Sequence, residues 1–367
     1  MRSIPTKWQT ALALMAALGL AGCAGAPGMK MPQASEVPSG PDAPRIEAIT
    51  PQLIARQRQS VPVIAPDVRA LMGQAGPYRI GPGDILSIIV WEHPELAMPP
   101  TALSVGSDGA ATTSGYTVDN LGQIQFAYAG ALQVSGLTEA QARERLVQAL
   151  ARTLRDPQIT LRVQSFRSQR VYVDGEIKAP GVQPVTDVPM TLPEALSRAG
   201  GATANGDTSR LQLSRNGKTA TINLPALVAA GLNPSSILLQ NGDLLRVPAK
   251  DESRIFVIGE VQRPGALNQR NGRLSLNEAL GESAGVNPFS GHAGQVYVIR
   301  TAPGGDQPTV YHLDAQSPVA LVLAEQFDLQ PRDVVYVDPT SLANWNRVIS
   351  LILPTAALAN TTNSTLK

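Results

Sequence analysis

Cysteine is almost missing from this chain of 367 residues: there is one, Cys23, so no disulfide can close within it and no thiolate metal site can be assembled. Histidine is scarce too. His93, His292 and His312 lie far apart without the i, i+4 spacing of a zinc helix, and His93 before Pro94 reads as a turn or contact residue. Charged residues are 16% of the chain, below the usual quarter, and the net charge is +1 with no basic run. That excludes the concentrated basic face of a nucleic-acid-binding protein. No G-x-S-x-G serine elbow occurs, and the acidic residues are scattered. The turn Gly81-Pro82-Gly83-Asp84 has no Lys-Ser/Thr after it and leads into an apolar run, so it is no nucleotide cradle. Every simple test for an enzyme therefore fails, leaving a glycan-modifying enzyme as a remote alternative.

Glycine (32) and proline (30) are plentiful and aromatics are 4%, a composition of many turns and short strands. The length allows two or three domains with real cores. Arg2 and Lys7 precede a short apolar segment, Ala11 to Leu20, and then Leu20-Ala21-Gly22-Cys23. This resembles a bacterial lipoprotein signal, in which cleavage before Cys23 leaves a lipid-bearing first residue; an ordinary signal peptide with an incidental cysteine is the alternative. Ala24 follows the cysteine, which in that class implies sorting to the outer membrane.

Residues 23–75 are rich in proline and weakly periodic, as in an extended tether or arm, and the part from Val61 to Val68 could add strands to a neighbouring domain. A strongly apolar strand is predicted from Ile85 to Trp91, another from Gln123 to Tyr128 and an alternating one through Ile159, Leu161 and Val163. Thr138 with Gln141 predicts a capping box opening a helix to about Leu154, with Ala142, Leu146, Ala149 and Leu150 inward.

The sequence then repeats itself. V-D-G-E-I-K-A-P-G from residue 173 returns as V-I-G-E-V-Q-R-P-G from residue 257, and L-P-E-A-L-S-R-A-G-G from 192 returns as L-N-E-A-L-G-E-S-A-G from 276, both at an offset of 84. Each copy has a strand, a Pro-Gly turn, a helix capped by Thr191 or Ser275 with glycine at its end, and a closing strand. Two copies of one α+β module in series suit spanning a distance better than housing one catalytic centre.

Residues 341–358 form the one internal candidate for a membrane. Leu342, Trp345, Ile349, Ile352 and Leu353 recur every three or four residues, with Val348 beside them and Asn344 and Arg347 elsewhere around the helix. About 18 residues would reach roughly 27 Å, the thickness of a bilayer core. Asn344, Asn346 and Arg347 make it a poor lone span, so it suits either one stave of a ring around a wet lumen or a helix docked on its own domain.

The segment Tyr78 to Leu96, Y-R-I-G-P-G-D-I-L-S-I-I-V-W-E-H-P-E-L, resembles the start of the export domain in outer-membrane polysaccharide export lipoproteins of the Wza type. Its marked residues are Tyr78, Gly81, Gly83, Asp84, Trp91 and Pro94. The two repeats are similar to that family's soluble-ligand-binding β-grasp modules, and Trp345 to Thr355 is similar to its membrane helix. The resemblance implies a multidomain α+β subunit: signal 1–22, lipidated arm 23–75, export domain 76–167, β-grasp repeats 168–250 and 251–340, and an outer-membrane helix and tail 341–367. It implies a homo-oligomer, typically an octamer, with its bulk in the periplasm and an α-helical barrel of porin character in the outer membrane. Eight helices about 10 Å apart would leave roughly 25 Å between opposite axes. It further implies an inner-membrane co-polymerase or tyrosine autokinase as partner, capsular polysaccharide or exopolysaccharide as cargo, and no cofactor beyond the lipid (palmitate among its acyl chains) on Cys23. The rival reading is a periplasmic glycan-binding lipoprotein whose terminal helix is docked.

Overall fold

The computed structural model describes residues 45–60, 65–96, 115–301 and 308–344. They belong to two compact units, Met1–Val61 with Asp251–Lys367, and Pro62–Lys250. The N-terminal arm departs from the extended tether expected of it. Strand β1 (Arg45–Ala48) is followed by helix α1 (Pro51–Ser60), and both belong to the unit that holds the second repeat. Leu53 and Ile54 are 5% and 3% exposed in that unit's core, each contributing about 1.5–3 kcal/mol by burial. Around Val68, where the sequence allowed an added strand, the chain forms a short helix, α2 (Pro66–Arg69): Pro66 sits at its first turn, where a missing N–H costs nothing. Val68 plugs the core of the first repeat.

In the unit 62–250 the chain next forms β2 (Ile85–Val90), β3 (Tyr116–Thr117), β4 (Gln123–Phe126), β5 (Gly130–Gln133), α3 (Glu139–Leu150) and β6 (Ile159–Ser165). Strands β3-β2-β6 make one antiparallel sheet and β4-β5 a hairpin. The capping box of Thr138 and Gln141 is present, and Ala142, Leu146 and Leu150 are fully buried. The helix stops at Leu150, one turn before the expected end, while the apolar strand stops at Val90 and leaves Trp91 outside.

The first repeat comprises β7 (Arg170–Gly175), β8 (Gly181–Pro184), α4 (Leu192–Arg198), β9 (Leu211–Arg215), β10 (Lys218–Ile222), α5 (Leu224–Ala229) and β11 (Leu244–Val247). In the other unit the second comprises β12 (Ile255–Gly259), β13 (Gly265–Leu267), α6 (Leu276–Glu282), β14 (Gly291–Arg300), β15 (Thr309–Leu313), α7 (Pro318–Gln326) and β16 (Val334–Pro339). The sheets have the same order, β10-β9-β11-β7-β8 and β15-β14-β16-β12-β13, each with one parallel pair at the centre. The second carries β1 as an added edge strand, parallel to β15 in the register Ile46 to Val310. Equivalent side chains fill the cores: Leu192, Ala195 and Leu196 in one, Leu276, Ala279 and Leu280 in the other.

Residues 341–344 are helical, and the Ala343 N–H donates to Thr340 Oγ1. The rest of the 341–358 stretch, including Trp345, Arg347, Val348, Ile349, Ile352 and Leu353, lies outside the described residues. Among those that are described, no helix is long and apolar enough to cross a membrane. The lipobox residues Leu20, Ala21 and Gly22, with Cys23, also lie outside them.

Candidate functional site

The export-domain motif folds into a lock around one carboxylate. Gly81-Pro82-Gly83-Asp84 turns tightly, with the Asp84 N–H donating to Gly81 O and Gly83 at φ +94°, a conformation glycine adopts without strain. Asp84 is thereby buried completely. Its Oδ1 accepts the N–H groups of Arg167 and Ser168, both at 2.8 Å. Its Oδ2 accepts from the Gly81 N–H at 2.9 Å, Tyr78 Oη at 2.7 Å and Ser168 Oγ at 3.0 Å. Five donors compensate the burial of one charge. Burial pushes the Tyr78 phenol well above its usual pKa, so it stays a donor. Gly81 is needed for space, because a Cβ there would lie 2.6 Å from Ser168 Oγ. Tyr78, Gly81, Gly83 and Asp84 thus converge on Ser168, where the chain passes into the first repeat. The motif holds modules in register and leaves its carboxylate no free face for a ligand.

The same turn recurs in each repeat. Asp243 follows Gln240-Asn241-Gly242 and Asp333 follows Gln330-Pro331-Arg332, and in both the carboxylate accepts the N–H of the residue three before it, at 2.7 and 2.8 Å. Here the partner is a cation. Arg215 reaches Asp243 at 2.6 Å and Arg300 reaches Asp333 at 2.7 Å, with both carboxylates 1% exposed. Arg300 also lies over the adjacent rings of Tyr311 and Phe327, 5.2 and 5.5 Å from their centroids. Arg332 takes the glycine position of the turn at φ 69°, at a cost of roughly 1 kcal/mol.

Trp91 and Pro94 stand apart from this lock. Trp91 is 59% exposed and its ring N–H donates to Thr160 Oγ1 at 3.1 Å; Pro94 opens a 3-10 turn that buries Leu96, and His93 pairs with Glu95 at 2.8 Å. That hydrogen bond lowers the pKa of Glu95. Sequence spacing concealed one juxtaposition, for His292 and His312 both bond to the backbone of Gly294, at 3.1 and 2.9 Å. No group of three or more metal-type side chains forms among the described residues.

Over residues 72–164 the chain matches the family described as polysaccharide biosynthesis/export protein, and over 169–247 and 253–337 it matches the SLBB domain. It is 50% identical over 368 aligned residues to the EPS I polysaccharide export outer membrane protein EpsA of Ralstonia nicotianae, covering 96% of each chain. The chain belongs to the polysaccharide export family. The capsule polysaccharide export protein BexD of Haemophilus influenzae is 26% identical over 99% of both chains. The capsule polysaccharide export outer membrane protein CtrA of Neisseria meningitidis is 27% identical over 80% of each. Members of this family transport polysaccharide.

In the second repeat Tyr297 is nearly enclosed, donates to Gln295 Oε1, and has its pKa pushed up to about 12 by burial, with nearby Asp338 adding to the shift. The fold therefore favours the neutral phenol. Its contribution to stability is complete below pH about 10, where an unfolded tyrosine titrates, and drains away as pH rises through 12. Denaturant midpoints are expected to fall over that window, and Tyr297→Phe should flatten the fall while removing the component of the tyrosinate absorbance that titrates near pH 12.

Proposed function

We propose that the chain is a subunit of an oligomeric outer-membrane channel through which capsular polysaccharide or exopolysaccharide leaves the periplasm. The observation that carries this is the match to EpsA over 96% of both chains at 50% identity. Polysaccharide export across the outer membrane is its activity, and it is a transport protein rather than an enzyme.

The finer parts of the reading rest on the lipobox and terminal-helix patterns and on what the family resemblance implies. Lipid on Cys23 anchors the subunit, and the locked modules build a periplasmic ring, typically of eight. Residues 341–358 supply one stave each to a helical barrel, Leu342, Trp345, Val348, Ile349, Ile352 and Leu353 giving it its apolar stripe and Arg347 lying on the polar side. A polysaccharide co-polymerase, often a tyrosine autokinase, in the inner membrane is the partner that would hand over the glycan. The rival, a periplasmic glycan-binding lipoprotein with a docked helix, differs in where the C-terminus lies. A Lys367→Cys chain is expected to react with a membrane-impermeant maleimide on intact cells, since acylated Cys23 has no free thiol. Protection until the envelope is broken would establish the docked helix and remove the channel.

A further inference from the structure

Each repeat ends where its closing strand hands the chain on, and in each a loop is tied to that exit residue. In the first copy the Lys250 N–H donates to Asn205 O at 2.8 Å. In the second the Thr340 N–H donates to Ser290 O at 2.7 Å. The loops are equivalent on three further counts. Thr203 and Asn287 donate their N–H groups to Glu176 O and Glu260 O. Gly206 and Gly291 close the loops, and at both a Cβ would sit 2.7 Å from that same glutamate carbonyl.

Against this shared frame the sequences part. The first loop reads Thr203-Ala204-Asn205-Gly206, and the second reads Asn287-Pro288-Phe289-Ser290-Gly291, longer by one residue and tipped with an aromatic. Phe289 is 90% exposed, the most exposed of the large apolar side chains in the described structure. Single apolar residues on a surface need no explanation by themselves. This one stands on a loop held rigidly from both sides: the Phe289 N–H donates to Asn287 Oδ1 at 2.9 Å, and Ser290 Oγ bonds to Glu260. It also stands only in the copy whose exit residue opens the terminal helix. Two residues past the tie, Leu342 is 65% exposed, and Trp345 follows in the sequence.

We propose that Phe289 is an interfacial anchor, seating its loop in the headgroup layer on the periplasmic face of the bilayer beside the base of the terminal helix. The inference rests on the reading that residues 341–358 enter the membrane, and it adds a second contact outside that helix. An aromatic ring suits the boundary between lipid and water, and a loop pinned to Thr340 cannot be far from the depth at which the helix enters. The two contacts together would fix the height of the second repeat against the membrane, which a single flexible helix joint does not do.

The test uses full-length protein in vesicles of phosphatidylethanolamine and phosphatidylglycerol, with a nitroxide on Phe289→Cys, on Leu353→Cys in the terminal helix, or on exposed Lys218→Cys in the first repeat. Collision with oxygen, which concentrates in lipid, is compared with collision with a water-soluble nickel chelate. At Phe289 the oxygen-to-nickel ratio is expected to be several times that at Lys218. A ratio equal to that at Lys218 would place the loop in water and overturn the proposal. Exclusion of both reagents would place it against protein, such as a neighbouring copy, and overturn it equally. Leu353 separates the two readings: lipid-like there with water-like at Phe289 removes only the anchor, whereas water-like at Leu353 removes the span. Lipid-like behaviour at Phe289 alone would support the loop as a peripheral anchor without the span. Because Phe289 is so exposed, its replacement does not threaten folding.

Discussion

Replacing Asp84 with alanine is expected to destabilise the unit 62–250 by about 3–5 kcal/mol, a large share of its stability, and to lower export. The figure follows from what the carboxylate leaves behind. Three backbone N–H groups, of Gly81, Arg167 and Ser168, lose their acceptor inside the protein, and each buried orphan costs about 1–3 kcal/mol. Tyr78 Oη and Ser168 Oγ lie 2.9 Å apart and can still satisfy one another, so they add little. Set against a total stability of about 5–15 kcal/mol, such a loss is large. Asp119→Ala is the control. Asp119 also accepts two backbone N–H groups, at 2.9 and 2.8 Å, but on the surface, where water replaces it at a cost of about 1 kcal/mol or less. Thermal unfolding of the purified full chain would separate the two variants. Equal midpoints would show that the Asp84 lock does not hold the junction.

Ending the chain after Thr340 is expected to abolish surface polysaccharide completely while leaving both units folded. Within residues 341–344 only Ala343 is buried, and none of the hydrophobic clusters includes it. The Thr340 N–H bond to Ser290 O survives the cut. Stability should therefore change by about 1 kcal/mol or less, a shift of a few degrees in Tm. Surface glycan on cells producing the truncated chain, read alongside Tm and periplasmic abundance, separates loss of the channel from loss of the fold. Export by a stable truncated chain would remove residues 341–358 from the conduit.

The contrast between these variants mirrors how the chain encodes itself. Local signals were legible in sequence: the Thr138 and Ser275 capping boxes, the alternation through Ile159, Leu161 and Val163, and the repeat offset of 84, which the structure returns as two sheets sharing one five-strand order, with β1 added to the second. These depend on hydrogen bonds and periodicities spanning a few residues, which any reading of neighbours can recover. Element ends were less legible: helix α3 stops at Leu150, although Leu154 beyond it still packs against the same core.

The sequence by itself determined the tandem repeat, through its offset of 84, and the family, through the resemblance carried by Tyr78 to Leu96; both signals lie within short windows. Tertiary structure alone decided the long-range pairings. It made β1 the edge strand of a sheet more than 250 residues further along the chain. It brought Asp84 to Ser168, 84 positions away, and set His292 and His312 about one glycine. It also turned the one-residue difference between two loops into a Phe289 left in the open. Such contacts arise from closing the chain on itself around shared cores, and no periodicity in the sequence records which distant partners that closure selects.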